Sequence, residues 1–175
     1  MTCKPLQRGA VRLAVAALLT VGIATAPRTL ADPPGPGCDD VWSARVQGAP
    51  PYAAGDRGGF YLWHDNGFHL RVTHRGDDRG VYAGTVVSPT PMHVVPVDLE
   101  SNDNLALSPD GHTMTFVFNN YGHTDGADFT TDCAQQLLVG PLTADSAPVS
   151  PDRIYLGASE IHPENNPMTI HRHDT

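Results

Sequence analysis

The sequence predicts an all-β fold: an antiparallel β-sandwich, or a partly open barrel, of seven or eight short strands. Three observations point there. After residue 31 the chain holds sixteen Asp, three Glu and no Lys. Asp favours turns and caps, whereas Glu and Lys favour helix interiors. Gly and Pro make up about 20% of the same portion and are spread along it, below the roughly 25–30% that marks disorder. Short apolar runs alternate with clusters of turn formers, the pattern of many short strands in one domain.

Residues 1–31 are read as a helical signal peptide. Lys4, Arg8 and Arg12 give a basic opening, Leu13 to Ala26 an uncharged apolar run, and Thr29, Leu30 and Ala31 a small-residue cleavage site. At about 1.5 Å per residue the run is too short to cross a hydrocarbon core of about 30 Å. Cutting after Ala31 starts the working chain at Asp32. Cys38 stands too far from the apolar run to carry a lipid anchor, and no later stretch is apolar enough to span a membrane. Losing Lys4, Arg8, Arg12 and Arg28 leaves 11 − 4 = 7 basic residues against 19 acidic ones, so the formal charge moves from −8 to −12. Such a chain repels phosphate backbones and anionic lipid surfaces. The expectation is therefore a secreted or cell-envelope protein with no nucleic-acid partner and no stable membrane anchor after cleavage.

Cys3 departs with the leader, which leaves Cys38 and Cys133. In an oxidising compartment the expectation is one disulfide between them. It would close a long loop, worth about 4–5 kcal/mol in a chain-entropy account. Residues 32–57 read as a Pro/Gly-rich leader tied down at Cys38, with a short strand from Val41 to Val46.

Residues 58–157 are the expected β core. Strands are predicted at Phe60–His64, Phe68–His74, Val81–Val87, His93–Leu99, Thr113–Phe118, Gln135–Leu142 and Ile154–Leu156. Turns are predicted at Asp65-Asn66-Gly67, Gly76-Asp77-Asp78, Ser88-Pro89-Thr90-Pro91, Ser101-Asn102-Asp103-Asn104 and Pro109-Asp110-Gly111. Pro96 cannot donate to a ladder, so its strand belongs at an edge or turns that position to solvent. Residues 158–175, with Pro163 and Pro167, read as a loose tail or one lying across the surface.

The sharpest local prediction is a hairpin over residues 60–74. Asp65-Asn66-Gly67 suits a three-residue loop with Gly67 in the left-handed position. That register gathers Phe60, Leu62, Phe68, Leu70 and Val72 on one apolar face. Tyr61, Trp63, His69, Arg71 and Thr73 fall on the other. In the same way Met114, Phe116 and Phe118 point inward, with Thr113 and Thr115 outward.

Two groups of residues could carry function. Tyr61, Trp63, His69 and Arg71 set aromatics beside polar donors, a platform on which a sugar ring or planar ligand could stack. The competing reading packs this face against the second sheet or the leader. His123, Asp125, Asp128 and Asp132 form a dense acidic stretch that could ring a hard cation such as calcium. An EF-hand pattern is absent, and solvated acids capping turns are the plainer reading. His162, His171 and His173 are zinc- or copper-ligand types, but no pair sits at a diagnostic spacing. No Gly-x-Ser-x-Gly elbow supports a hydrolase. Arg75-Gly76-Asp77 and Leu107-Ser108-Pro109-Asp110-Gly111 are single short matches of the kind turns produce by chance.

The stretches Gly59-Phe60-Tyr61-Leu62-Trp63-His64-Asp65, Phe68-His69-Leu70-Arg71-Val72-Thr73-His74, Asp125-Gly126-Ala127-Asp128-Phe129 and Asp132-Cys133-Ala134 resemble a group of small secreted actinobacterial proteins. The likeness covers roughly residues 58–170. It implies a secreted β-rich domain and brings no activity or site residues with it.

These readings lead to a secreted, acidic, non-catalytic module binding an extracellular ligand or protein through Tyr61, Trp63, His69 and Arg71. A metal-binding protein using zinc, copper or calcium is the alternative, and a secreted hydrolase the third.

Overall fold

A computed structural model describes residues 41–50, 58–73, 80–120 and 124–172 of the chain. The expected signal peptide, Cys38, His123, His173 and the turn at Gly76-Asp77-Asp78 lie outside these residues.

The predicted hairpin is present. Strand β1 (Gly59–His64) pairs antiparallel with β2 (Phe68–Thr73), matching His64 to Phe68, Leu62 to Leu70 and Phe60 to Val72. This is the register of a three-residue loop, and the five residues expected on the apolar face are all buried. The turn differs in one detail. Asn66 takes the left-handed position at φ +56°, while Gly67 sits at φ +154°. Asn tolerates the left-handed region better than most residues, and the Asp65 N–H still closes the loop on the Gly67 carbonyl at 2.8 Å.

Ten further strands follow: β3 (Gly80–Val87), β4 (Met92–Val97), β5 (Asn104–Leu107), β6 (Thr113–Asn120), β7 (Asp125–Thr131), β8 (Gln136–Val139), β9 (Thr143–Ala144), β10 (Ala147–Pro148), β11 (Ile154–Leu156) and β12 (Met168–His171). They form two sheets. The first runs β11-β1-β2-β7-β4 and the second β10-β9-β3-β6-β5, with β12 joined to the second through β8. Neither sheet closes into a barrel among the described residues. Among the described residues the strands pair antiparallel except β1 with β11, and a parallel bridge joins Gln47 to His64. Pro96 lies in β4, at an edge of the first sheet, as its missing N–H requires.

One core joins the two sheets. Phe60 of the first meets Tyr82 and Phe116 of the second at ring-centroid distances of 5.6 and 6.1 Å. Met114, Phe116 and Phe118 alternate inward along β6, as expected. Gly84 is required beside them. A Cβ there would lie 2.6 Å from Leu142 Cδ2 and 2.8 Å from Phe116 Cζ.

Three expectations need correction. Residues 44–46 form a 3-10 turn, capped by the Ser43 hydroxyl accepting from the Arg45 N–H at 3.3 Å, not a strand. This segment belongs to the core: Trp42 and Val46 are buried. The run expected as one strand from Gln135 to Leu142 breaks at Gly140, whose φ of +106° leaves the strand region; β8 and β9 then pair with β3 on either side of the break. The tail is anchored. Met168 and Ile170 are core residues, and β12 pairs with β8 over four residue pairs. Alternation over only four residues, next to two prolines, hid that strand.

The tail also meets the start of the described chain. The Ser43 N–H donates to the His171 carbonyl at 3.0 Å, and the Arg172 guanidinium lies over the Trp42 ring at 5.6 Å. Cys133 is exposed at φ +54°. Its expected partner, Cys38, is outside the described residues.

Candidate binding face

Strand pairing sets four side chains of the first sheet in one row. Trp63 of β1 is opposite His69 of β2, His69 is opposite Asp128 of β7, and Asp128 is opposite Val95 of β4. All four sit on the side away from the core, because their neighbours Leu62, Leu70, Ala127 and Phe129 fill it. At about 4.8 Å per strand the row is about 14 Å long. Arg71 lies in the next row, opposite Gly126.

The side chains interlock. The Trp63 and His69 rings stack at 4.9 Å with planes 20° apart. The Arg71 guanidinium lies 5.3 Å from the Trp63 ring centre. Asp128 Oδ1 accepts from both His69 Nδ1 and Arg71 Nη2, each at 2.7 Å. Arg71 Nη1 donates to the carbonyls of Leu70 and Ala127 at 2.9 and 3.2 Å. Gly126 makes this possible: a Cβ there would come 2.7 Å from Arg71 Cδ and 2.2 Å from the Leu70 carbonyl oxygen. Side-chain exposure is 24% for His69, 15% for Arg71 and 38% for Asp128. Trp63 is half-buried and Val95 is 56% exposed.

His69 is held at both nitrogens, with Nε2 3.3 Å from the Asp65 carbonyl oxygen. The two contacts fix the plane of the ring against Trp63.

The sequence placed four residues on this face, and the structure brings three together. Tyr61 is the exception. It is fully buried, stacked on Tyr155 at 4.6 Å and 13°, because β11 adds in parallel beside β1 and sets the two tyrosines side by side. His162 tilts over Tyr155 at 5.0 Å and holds the Ile154 carbonyl through Nδ1 at 2.8 Å. Tyr61 therefore offers no surface for stacking.

The acidic group is not assembled. Residues 125–131 are strand β7, not a loop, and alternation separates them. Asp125 shares the core side with Ala127 and Phe129 and is buried; Asp128 turns outward. Asp132 is exposed beyond the strand end. Among the described residues no group of three or more His, Cys, Asp or Glu side chains is placed to hold a metal ion. Sequence reasoning missed that Asp128 belongs with His69 and Arg71, and missed Val95 altogether. The alternation Asp125, Ala127, Phe129 was the available signal.

Comparison with family models, curated proteins and solved structures gives no match. Among the described residues, no helix is long and apolar enough to cross a membrane.

Proposed function

We propose that the chain is a secreted, non-catalytic binding module. Its two sheets make a β-sandwich, a Cys38–Cys133 disulfide staples the leader to it, and the row Trp63–His69–Asp128–Val95 with Arg71 binds an extracellular ligand or protein. The likeness to small secreted actinobacterial proteins is part of the same reading. The carrying observation is the prebuilt array on the outer face of the first sheet. An imidazole and a guanidinium are locked on one carboxylate oxygen and an indole stacks against both, so the surface loses little side-chain freedom when it takes a ligand. Such order at a surface far from the core is more than stability demands, since exposed ion pairs contribute about 0–1 kcal/mol.

Trp63 and Trp42 are the two tryptophans of the chain. Trp42 is buried, which makes Trp63 the responsive fluorophore. Fluorescence screening of the secreted protein against extracellular glycans, flat aromatics and culture-supernatant proteins tests the reading. A ligand that shifts Trp63 emission, with the shift lost in Trp63→Phe, is the expected result. Ligands that bind with Trp63 emission unchanged would place the binding surface elsewhere and overturn it.

A further inference from the structure

Resting on that binding-module reading, we propose that the Trp63–Asp128–Val95 row is a subsite for a neutral, hydroxyl-bearing sugar ring.

The argument is one of what the array has left to offer. Asp128 uses Oδ1 for both His69 and Arg71. Its Oδ2 makes no hydrogen bond among the described residues, on a side chain 38% exposed. An ionised carboxylate only accepts, so this corner recognises O–H or N–H donors and repels anions. Arg71 cannot compensate for an anion. It is 15% exposed, and its terminal nitrogens already serve Leu70, Ala127 and Asp128. The chain's net charge of −8 repels anions further.

A cation is disfavoured for a different reason. The natural seat for a cation beside Asp128 is the indole of Trp63, and the Arg71 guanidinium already stands over that ring. A second positive charge would meet the first.

What remains is a neutral ligand with donors at one edge and an apolar face. The Trp63 indole N–H, which makes no hydrogen bond among the described residues, adds a donor to the acceptor at Asp128. Val95 supplies an exposed apolar flank at the far end of the row. A pyranose combines hydroxyls with a C–H face in this way, and the row of about 14 Å is longer than one ring. Asp128 and Val95 keep solvent-exposed surface, so affinity would be modest, as for any shallow site that buries little of its ligand.

The test is calorimetric titration of the secreted protein with four neutral hexasaccharides (cellohexaose, maltohexaose, mannohexaose and chitohexaose). Hexagalacturonate serves as an anionic counterpart and a neutral naphthol as a flat aromatic. Sedimentation with the matching insoluble polysaccharides separates free oligosaccharide from polymer as the source. The expected result is binding of at least one neutral hexasaccharide, weakened about tenfold or more in Trp63→Ala and in Asp128→Asn. Near-ultraviolet circular dichroism shows whether each variant keeps the fold; Val95→Asp, at an exposed position, gives a third variant if either does not. Tighter binding of hexagalacturonate than of any neutral hexasaccharide overturns the inference. So does absence of neutral-sugar binding at ~10 mM. If the naphthol or a protein then shifts Trp63 emission, the binding module stands and the sugar fails. If no probe does, both fail.

Discussion

Asn166 holds three backbone groups through one side chain. Its Oδ1 accepts from the Leu142 N–H at 2.7 Å, and its Nδ2 donates to the carbonyls of Leu142 and Val149 at 2.8 and 2.9 Å. One amide thus ties the tail to both sides of the β9–β10 turn. Asn166→Ala removes the partners of the Leu142 N–H and the Val149 carbonyl, while the Leu142 carbonyl keeps its bond from the Val149 N–H at 2.9 Å, and should lower stability by about 2 kcal/mol, read as a shift of the urea midpoint. Asp110 carries a different prediction. Its carboxylate accepts first from the Ser108 hydroxyl, at 2.6 Å, and then from the His112 N–H, at 3.1 Å. These bonds hold its pKa below the usual carboxylate value. A depressed folded pKa gives stability that is present above the unfolded value and is lost as pH falls through the folded one. The loss belongs below about pH 4. Asp110→Asn should lower the neutral plateau slightly and flatten the acid limb, so that the two stability–pH curves converge in acid. Neither role shows in the sequence, where Asp110 reads as an ordinary turn former and Asn166 only as part of the tail. What sets them apart is which backbone groups the fold brings within reach.

The β1–β2 hairpin could be read from its residues because its two signals agree. The loop length fixes the register, and that same register yields one uninterrupted apolar face. Strand β7 could not, because its signals conflict. Asp-Gly-Ala-Asp is rich in turn formers, and only the alternation of Asp125, Ala127 and Phe129 records a half-buried strand. Misreading β7 also misplaced the candidate site. Asp128 was grouped with its sequence neighbours instead of its cross-strand ones, and Tyr61 was left open because the parallel arrival of β11 has no local sign. Gly126 shows how tightly β2 and β7 meet. Gly126→Ala would press a methyl onto the Leu70 carbonyl and lift Arg71 from its seat. It should cost about 3 kcal/mol and weaken ligand binding as well. Urea denaturation and titration of the bound ligand check the two effects separately.

For the molecule as a whole, the sequence indicated two stacked sheets but not how the ends of the chain close them. Residues 41–50 and β12 read as leader and tail, yet Trp42, Val46, Met168 and Ile170 all belong to the common core. The reason is physical. Each segment buries only two apolar side chains, too few for any periodicity to register, and each is held by segments distant in sequence: β8 for β12, and His64, Ala158 and His171 for residues 41–50. Deleting residues 168–175 would remove Met168 and Ile170 from the core and unpair β8 along four positions. At roughly 1.5–3 kcal/mol per buried side chain, the deletion should remove about 3–6 kcal/mol. Scanning calorimetry would show this as a midpoint lowered by several degrees or a lost transition.

The meeting of Ser43 with His171, and of Trp42 with Arg172, has a practical corollary. Domains whose first and last core segments lie side by side tolerate relinking through a flexible connection and reopening at an exposed bend. A permutant with Thr175 joined to Asp32 by such a linker, which keeps Cys38, and new ends cut at Asn102 should regain the parent's near-ultraviolet spectrum. It would also free the hydrogen-bonded seam between the two segments from dependence on how either end is trimmed or fused.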